Sequence, residues 1–210
     1  MTEFIFPPRP VGKTHPRRLP RYQKAPWIAQ RKFNGTRNLI HIVDGDVICW
    51  MRKGEPHKQW EMSDDVKRQI LDLNLTEDEY WLDSELLHHK TTDQHYKNRI
   101  VLFDVLHAGK YLFRSLTLLE RYELLANLCG NPTERESKHG LALVASENLW
   151  LAENIQPVDF VDEFKRHLDK DQIEGLVLKD STSTIDNFGN KYYEVAWQVR
   201  CRKPTKNYTH

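Results

Sequence analysis

The sequence predicts an α+β domain in which antiparallel sheets and flanking helices share one core. Three observations carry this expectation. Strand-length apolar runs recur along the chain, Asp44-Gly45 sits between two of them as a hairpin turn, and two segments repeat apolar residues at helical spacing. In order, residues 27–32 read as a strand ending at the Asn34-Gly35 turn, and residues 38–43 and 46–51 as the hairpin pair. Ser63 caps a helix running to Leu73, with Val66, Ile70 and Leu73 on one face. Residues 80–87 and 98–106 are strands; residues 116–128 are a leucine-faced helix ending near Gly130-Asn131-Pro132. A strand at 141–146 precedes a helix at 158–168, whose apolar face is Phe160, Val161, Phe164 and Leu168. Strands at 175–179 and 192–202 close the chain.

Composition narrows the function classes. The chain has 210 residues, enough for one substantial domain, and ordinary apolar and charged fractions. No apolar run is long enough to span a membrane, and no signal-peptide core opens the sequence. Cys49, Cys129 and Cys201 are scattered and form no CxxC pair, which suits a reducing cytoplasm and argues against a disulfide framework. His88, His89 and His95 are better read as a polar loop than as metal ligands. The net charge of +1 conceals an asymmetry: residues 1–37 hold nine Lys or Arg and one acid, Glu3, a net of +8. Six of the ten prolines precede Trp27. Residues 1–26 therefore read as a basic, Pro-rich arm, laid over the domain or free until it meets a polyanion. Residues 27–204 would be the domain and 205–210 a tail.

Five segments then fall in one order: Lys32-Phe33-Asn34-Gly35-Thr36-Arg37, Leu82-Asp83-Ser84-Glu85-Leu86, Leu102-Phe103-Asp104-Val105, Glu174-Gly175-Leu176-Val177-Leu178-Lys179 and Arg200-Cys201-Arg202-Lys203. Each is weak alone. Together they resemble the covalent nucleotidyltransferase superfamily of ATP-dependent DNA and RNA ligases and mRNA capping enzymes. The resemblance covers residues 27–203 and implies the ligase adenylation fold, which is ATP-grasp-like. Met51-Arg52-Lys53-Gly54 after the hairpin, and Phe103-Asp104-Val105-Leu106 followed by residues 118–125, lean towards the DNA-ligase branch.

The resemblance implies that Lys32 attacks the α-phosphate of ATP, expels pyrophosphate and carries AMP. An ordinary lysine is protonated at neutral pH, so the role calls for burial and nearby cations, for which Arg31, Lys179 and Arg200 are candidates. Gln30 stands where many DNA ligases have a glutamate that reads the adenine amino group, and an amide oxygen accepts the same hydrogen bond. Arg37 and Arg52 would contact ribose, phosphate or nucleic acid. Asp83 and Glu85 share one strand face and repel unless a sugar, cation or metal lies between them; Glu85 is the one expected near the ribose or metal. Phe103 would stack on adenine. Glu174 would help Glu85 hold Mg²⁺, and Lys179 would contact the α-phosphate.

Two departures stand out. Asn34 occupies the place of the usual motif acid, and Arg200 and Arg202 replace lysines at alternate positions, with Lys203 a competing register. DNA ligases of this type continue into an OB-fold domain, and this chain ends a few residues after Lys203, so a minimal or partial enzyme is expected. The expected partners are DNA or RNA ends, with DNA favoured, no membrane, and a monomeric protein. RNA or mixed DNA–RNA joining, a capping guanylyltransferase, and a nucleotide- or nucleic-acid-binding module that has lost ligation are the alternatives.

Overall fold

Alternating apolar residues draw the chain into two sheets that have no strand in common. The structure, a computed structural model, describes residues 3–88, 92–109, 111–112, 115–185 and 193–204. In chain order the strands are β1 (Arg9–Lys13), β2 (Trp27–Phe33), β3 (Thr36–Val43), β4 (Asp46–Met51), β5 (Glu79–Leu87), β6 (Arg99–Ala108), β7 (Tyr111–Leu112), β8 (Leu143–Val144), β9 (Leu149–Leu151), β10 (Ile173–Asp180) and β11 (Glu194–Arg202). The helices are α1 (Asp64–Leu71), α2 (Leu118–Leu128) and α3 (Phe160–Arg166). The smaller sheet has the order β1-β11-β10-β2; the larger has β4-β3-β5-β6-β9-β8, with β7 on β6. Pairing is antiparallel except at β1/β11 and β6/β9.

Each sheet buries one face against helices. Ile40, Leu82, Leu86, Ile100 and Leu102 of the larger sheet pack with Val66 and Ile70 of α1 and Leu125 and Leu128 of α2. Ala29, Leu176, Leu178, Val199 and Cys201 of the smaller sheet pack with Phe160 and Phe164 of α3 and with Leu19. A third cluster, including Phe33, Val101, Trp150 and Ile173, joins the two sheets. The first helix starts at the cap the sequence marks, and the second starts two residues later than expected, after a cap of its own. Ser63 Oγ accepts from Val66 N–H at 3.3 Å, and Thr117 and Glu120 form a reciprocal capping box. The predicted 158–168 helix is shorter: Pro157–Asp159 is a 3-10 turn, and the helix ends at Arg166, leaving Leu168 47% exposed.

The strand expected at 141–146 shrinks to Leu143–Val144, and β9 was not anticipated, because three residues carry no periodicity. The Pro-rich segment is laid over the domain. Its residues 9–13 form β1 at a sheet edge, where Pro10 forfeits no interior hydrogen bond, and Leu19 is buried beneath the smaller sheet. The tail at 205–210, His89, Lys90 and Tyr192 lie outside the described residues. Among the described residues no helix is long and apolar enough to cross a membrane.

Candidate active site

The faces of the two sheets turned away from the helices bound a cleft of about 430 Å³, within the range of small-molecule sites. Gln30, Lys32, Arg37, Arg52, Glu85, Phe103, Glu174, Lys179, Arg200 and Arg202, the ten residues singled out from the sequence, all line it. The smaller sheet contributes Gln30 and Lys32 from β2, Glu174 and Lys179 from β10, and Arg200 and Arg202 from β11. The larger contributes Arg37 from β3, Glu85 from β5 and Phe103 from β6, with Arg52 just beyond β4.

Strand alternation explains most of these directions. Gln30 and Lys32 share a face of β2, as Arg200 and Arg202 share one on β11, while Cys201 between them is fully buried. Burial pushes the Cys201 thiol up to about 12, so it is an inert core residue. Glu174 is the exception. Val177 and Lys179 line the cleft, so simple alternation would turn residue 174 to the opposite face. In the β10/β2 pairing, Ile173 meets Phe33 and Gly175 meets Lys32, so Glu174 is the extra residue of a bulge. That bulge re-aims Glu174 towards Lys32, with 2.5 Å between Nζ and Oε2. Arg202 Nε lies 3.4 Å from the same oxygen. Gly175 makes the bulge possible: its φ is +138°, and a Cβ there would lie 2.0 Å from the Cys201 carbonyl oxygen.

Gly35 answers a different demand. A Cβ on it would sit 2.5 Å from the Leu86 carbonyl oxygen, so the glycine permits close approach. Its N–H reaches Glu85 Oε1 at 3.2 Å. Of the sugar, cation or metal that could separate Asp83 and Glu85, the structure supplies a cation, Arg37. It lies directly opposite Glu85 across β3/β5 and donates two hydrogen bonds to the buried Asp83. Burial would lower the Arg37 guanidinium, but Asp83 more than offsets this and holds it above its ordinary value. Arg37 and Lys179 lie 4.8 and 5.1 Å from the centroid of the Phe103 ring. Lys179 donates to Gln30 Oε1 at 2.5 Å, and Gln30 Nε2 donates to Asn154 Oδ1 at 2.9 Å. Burial pulls Lys179 down to about 8, with Asp104 opposing and Arg37 assisting.

Three expectations change. Arg31 is no neighbouring cation for Lys32: it points to the other face of β2, where Glu163, Glu153 and the Leu141 carbonyl accept from it. Lys203 also leaves the cleft, donating to the Leu168 and Lys170 carbonyls. Asn34 turns away to donate to the Asp171 carbonyl at 3.1 Å. Sequence reasoning missed Arg9, Gln198 and Glu194, which also line the cleft. Arg9 was signalled only by the basic character of its segment; Gln198 and Glu194 share the parity of Arg200 and Arg202 on their strand, so alternation could have found them. Among the described residues no group of three or more His, Cys, Asp or Glu side chains is arranged to hold a metal. Glu85 and Glu174, two of the three carboxylates in the cleft, suit Mg²⁺, which takes few protein oxygens and completes its shell with water and phosphate.

Residues 12–191 match the family described as the ATP dependent DNA ligase domain. The chain belongs to the ATP-dependent DNA ligase domain family. No curated protein matches it. Among solved structures, it is similar to mycobacterial DNA ligase D complexed with ATP and MES, with a TM-score of 0.66 and 16% identity over 96% of this chain and 62% of that one. The ligase domain of M. tuberculosis LigD gives 0.64 and 17%, over 94% and 60%. The ATP-dependent DNA ligase from bacteriophage T7 in complex with ATP gives 0.55 and 15%, over 94% and 68%. At these identities the likeness shows a common fold, and the chain spans about three-fifths of the length of the two mycobacterial proteins.

Proposed function

We propose that this chain is the nucleotidyl-transfer domain of an ATP-dependent polynucleotide ligase, with DNA as the favoured substrate. Lys32 Nζ attacks the α-phosphorus of ATP, the bond to the β-phosphate oxygen breaks, and pyrophosphate leaves. AMP stays on Lys32 as a phosphoramidate, passes to the 5′-phosphate of a strand, and is displaced by a 3′-hydroxyl. The observation that carries this reading is the convergence of ten motif residues, drawn from both sheets, on one cleft. Lys32 must shed a proton to attack, and the acceptor within reach is Glu174 Oε2, at 2.5 Å. Lys179, Arg37 and Arg200 supply positive charge for the phosphates, since phosphoryl transfer is governed by positioning and charge neutralisation.

Gln30 keeps a lone pair for the adenine amino group while it accepts from Lys179, because an amide oxygen has two. Phe103 offers the base an aromatic face, and Glu85 a carboxylate for the ribose hydroxyls. Glu85 and Glu174 would hold Mg²⁺, which would supply neutralisation of phosphate charge. Intact mass after incubation with ATP and Mg²⁺ tests the reading. A gain of one AMP, absent in Lys32→Ala, is expected. A nicked DNA duplex should then remove the adduct and be sealed, faster than its RNA counterpart. Protein stripped of bound nucleotide that gains no AMP would sink the proposal.

A further inference from the structure

Arg9 is the basic residue of the N-terminal segment that lines the cleft among the described residues. The parallel pairing of β1 with β11 sets it opposite Glu194, whose carboxylate accepts from Arg9 Nη2. Arg9 Nε is buried yet meets no hydrogen-bond acceptor among the described residues. The same segment touches a second cleft arginine, since Arg37 Nη2 donates to the Pro8 carbonyl at 3.3 Å.

Arg9, Arg37, Arg52 and Arg200 thus border one cleft. Partial burial, and then the charges of Arg9, Arg37 and Arg200, push the Arg52 guanidinium below the ordinary arginine value. Arg37 has Asp83 and Arg9 has Glu194, but no carboxylate pairs with Arg52 among the described residues. Gathered guanidinium groups repel one another, and a multiply charged anion relieves that repulsion. Their planar forks suit phosphate oxygens in pairs.

We propose that Arg9 is a phosphate-binding residue which, with Arg52 and Arg200, forms a guanidinium pocket for a phosphate other than the one Lys32 attacks. Glu194 is its anchor. It holds the fork by one nitrogen and leaves the remaining donors to the ligand. The phosphate comes from the tail of ATP or from the 5′ end of a strand, and that choice of sources rests on the ligase reading.

The test is calorimetric binding of inorganic tripolyphosphate to the full chain and to Arg9→Ala, Arg9→Lys and Arg9→Ala/Glu194→Gln, with thermal melting of each. The loss of charge-assisted hydrogen bonds should weaken Arg9→Ala about tenfold or more. Arg9→Lys should recover part of this, and the double variant should stay weak. Unchanged binding by Arg9→Ala overturns the proposal. So does recovery in the double variant, which would trace the loss to the uncovered charge of Glu194. Two further measurements separate the sources: the ATP concentration that half-saturates adduct formation, and the affinity for a nick bearing a 5′-phosphate against one bearing a 5′-hydroxyl. A change in the first alone assigns the triphosphate tail; a change in the second alone assigns the strand. If the wild-type chain forms no AMP adduct, the ligase reading fails while the tripolyphosphate comparison still decides the role of Arg9.

Discussion

Arg31 and Lys32 are neighbours on β2 with opposite surroundings. Arg31 is 7% exposed and tied to Glu163 at 2.5 Å, Glu153 at 2.9 Å and the Leu141 carbonyl at 2.8 Å. Lys32 opens onto the cleft and meets one carboxylate, Glu174, which also serves Arg202. One face of the strand is tied to its surroundings by several charged contacts; the other holds the cation that the proposed mechanism would turn to a nucleotide. The difference teaches how a strand presents a reactive group. Its rear side chains anchor the backbone, so the front one moves without carrying the strand along.

The sharpest way to break this comparison is to substitute the two residues in turn. Lys32→Ala should abolish the AMP adduct while leaving the denaturation midpoint near that of the wild type. Arg31→Met should do the reverse in stability, costing about 1.5–3 kcal/mol in chemical denaturation, because the buried Glu163 carboxylate and the Leu141 carbonyl lose a charged donor while His167 and Arg166 still serve Glu163. A stable Arg31→Met protein would mean that the rear face is not the anchor.

Acid should act on the rear face as well. Burial alone would raise Glu163, but the hydrogen bond from His167 and the charge of Arg31 overcome it and bring the group from 4.5 down to about 2. A depressed carboxylate stabilises the fold above its unfolded value, and that contribution fades as pH falls from about 4.5 towards 2. Denaturation midpoints of Glu163→Gln should therefore fall less steeply than those of the wild type across that window.

On the front face the sign runs the other way. Burial lowers Lys179 from 10.5 to about 8, so the folded chain releases this proton first and Lys179 favours folding progressively from pH 8 to 10.5. Its charge is lost over the same rise. The kcat/KM of adenylation should decline above pH 8, by about tenfold per unit for a single ionisation, and Lys179→Gln should be slow throughout without that limb. The smallest effect belongs to Asn34→Asp. It removes a donor to the Asp171 carbonyl at an exposed turn and should cost less than about 1 kcal/mol. Joining of pre-adenylated DNA should be little changed by it, since the side chain turns away from the cleft.

Much of the site was legible because its chemistry is written in local patterns. Gln30 and Lys32, and Arg200 and Arg202, follow from the two-residue period of a strand, and so does the burial of Cys201 between the latter pair. The capped start of α1 was legible for the same reason, since a cap involves residues three positions apart. Arg9 was not, because its position comes from a parallel pairing with a strand 185 residues away. Nor was the direction of Asn34, which depends on a carbonyl at residue 171.

By itself the sequence determined the α+β class, most strand and helix cores, the set of candidate site residues and their alternation along each strand. Only the tertiary structure decided which partner each charge meets. The bulge at Glu174 turns an acid towards Lys32, and Arg37 fills the gap beside Asp83 and Glu85. Cross-strand register converts the one-dimensional order of the motifs into a cleft. Register is set by pairing energies summed over whole sheets, to which a five-residue motif contributes only a small part.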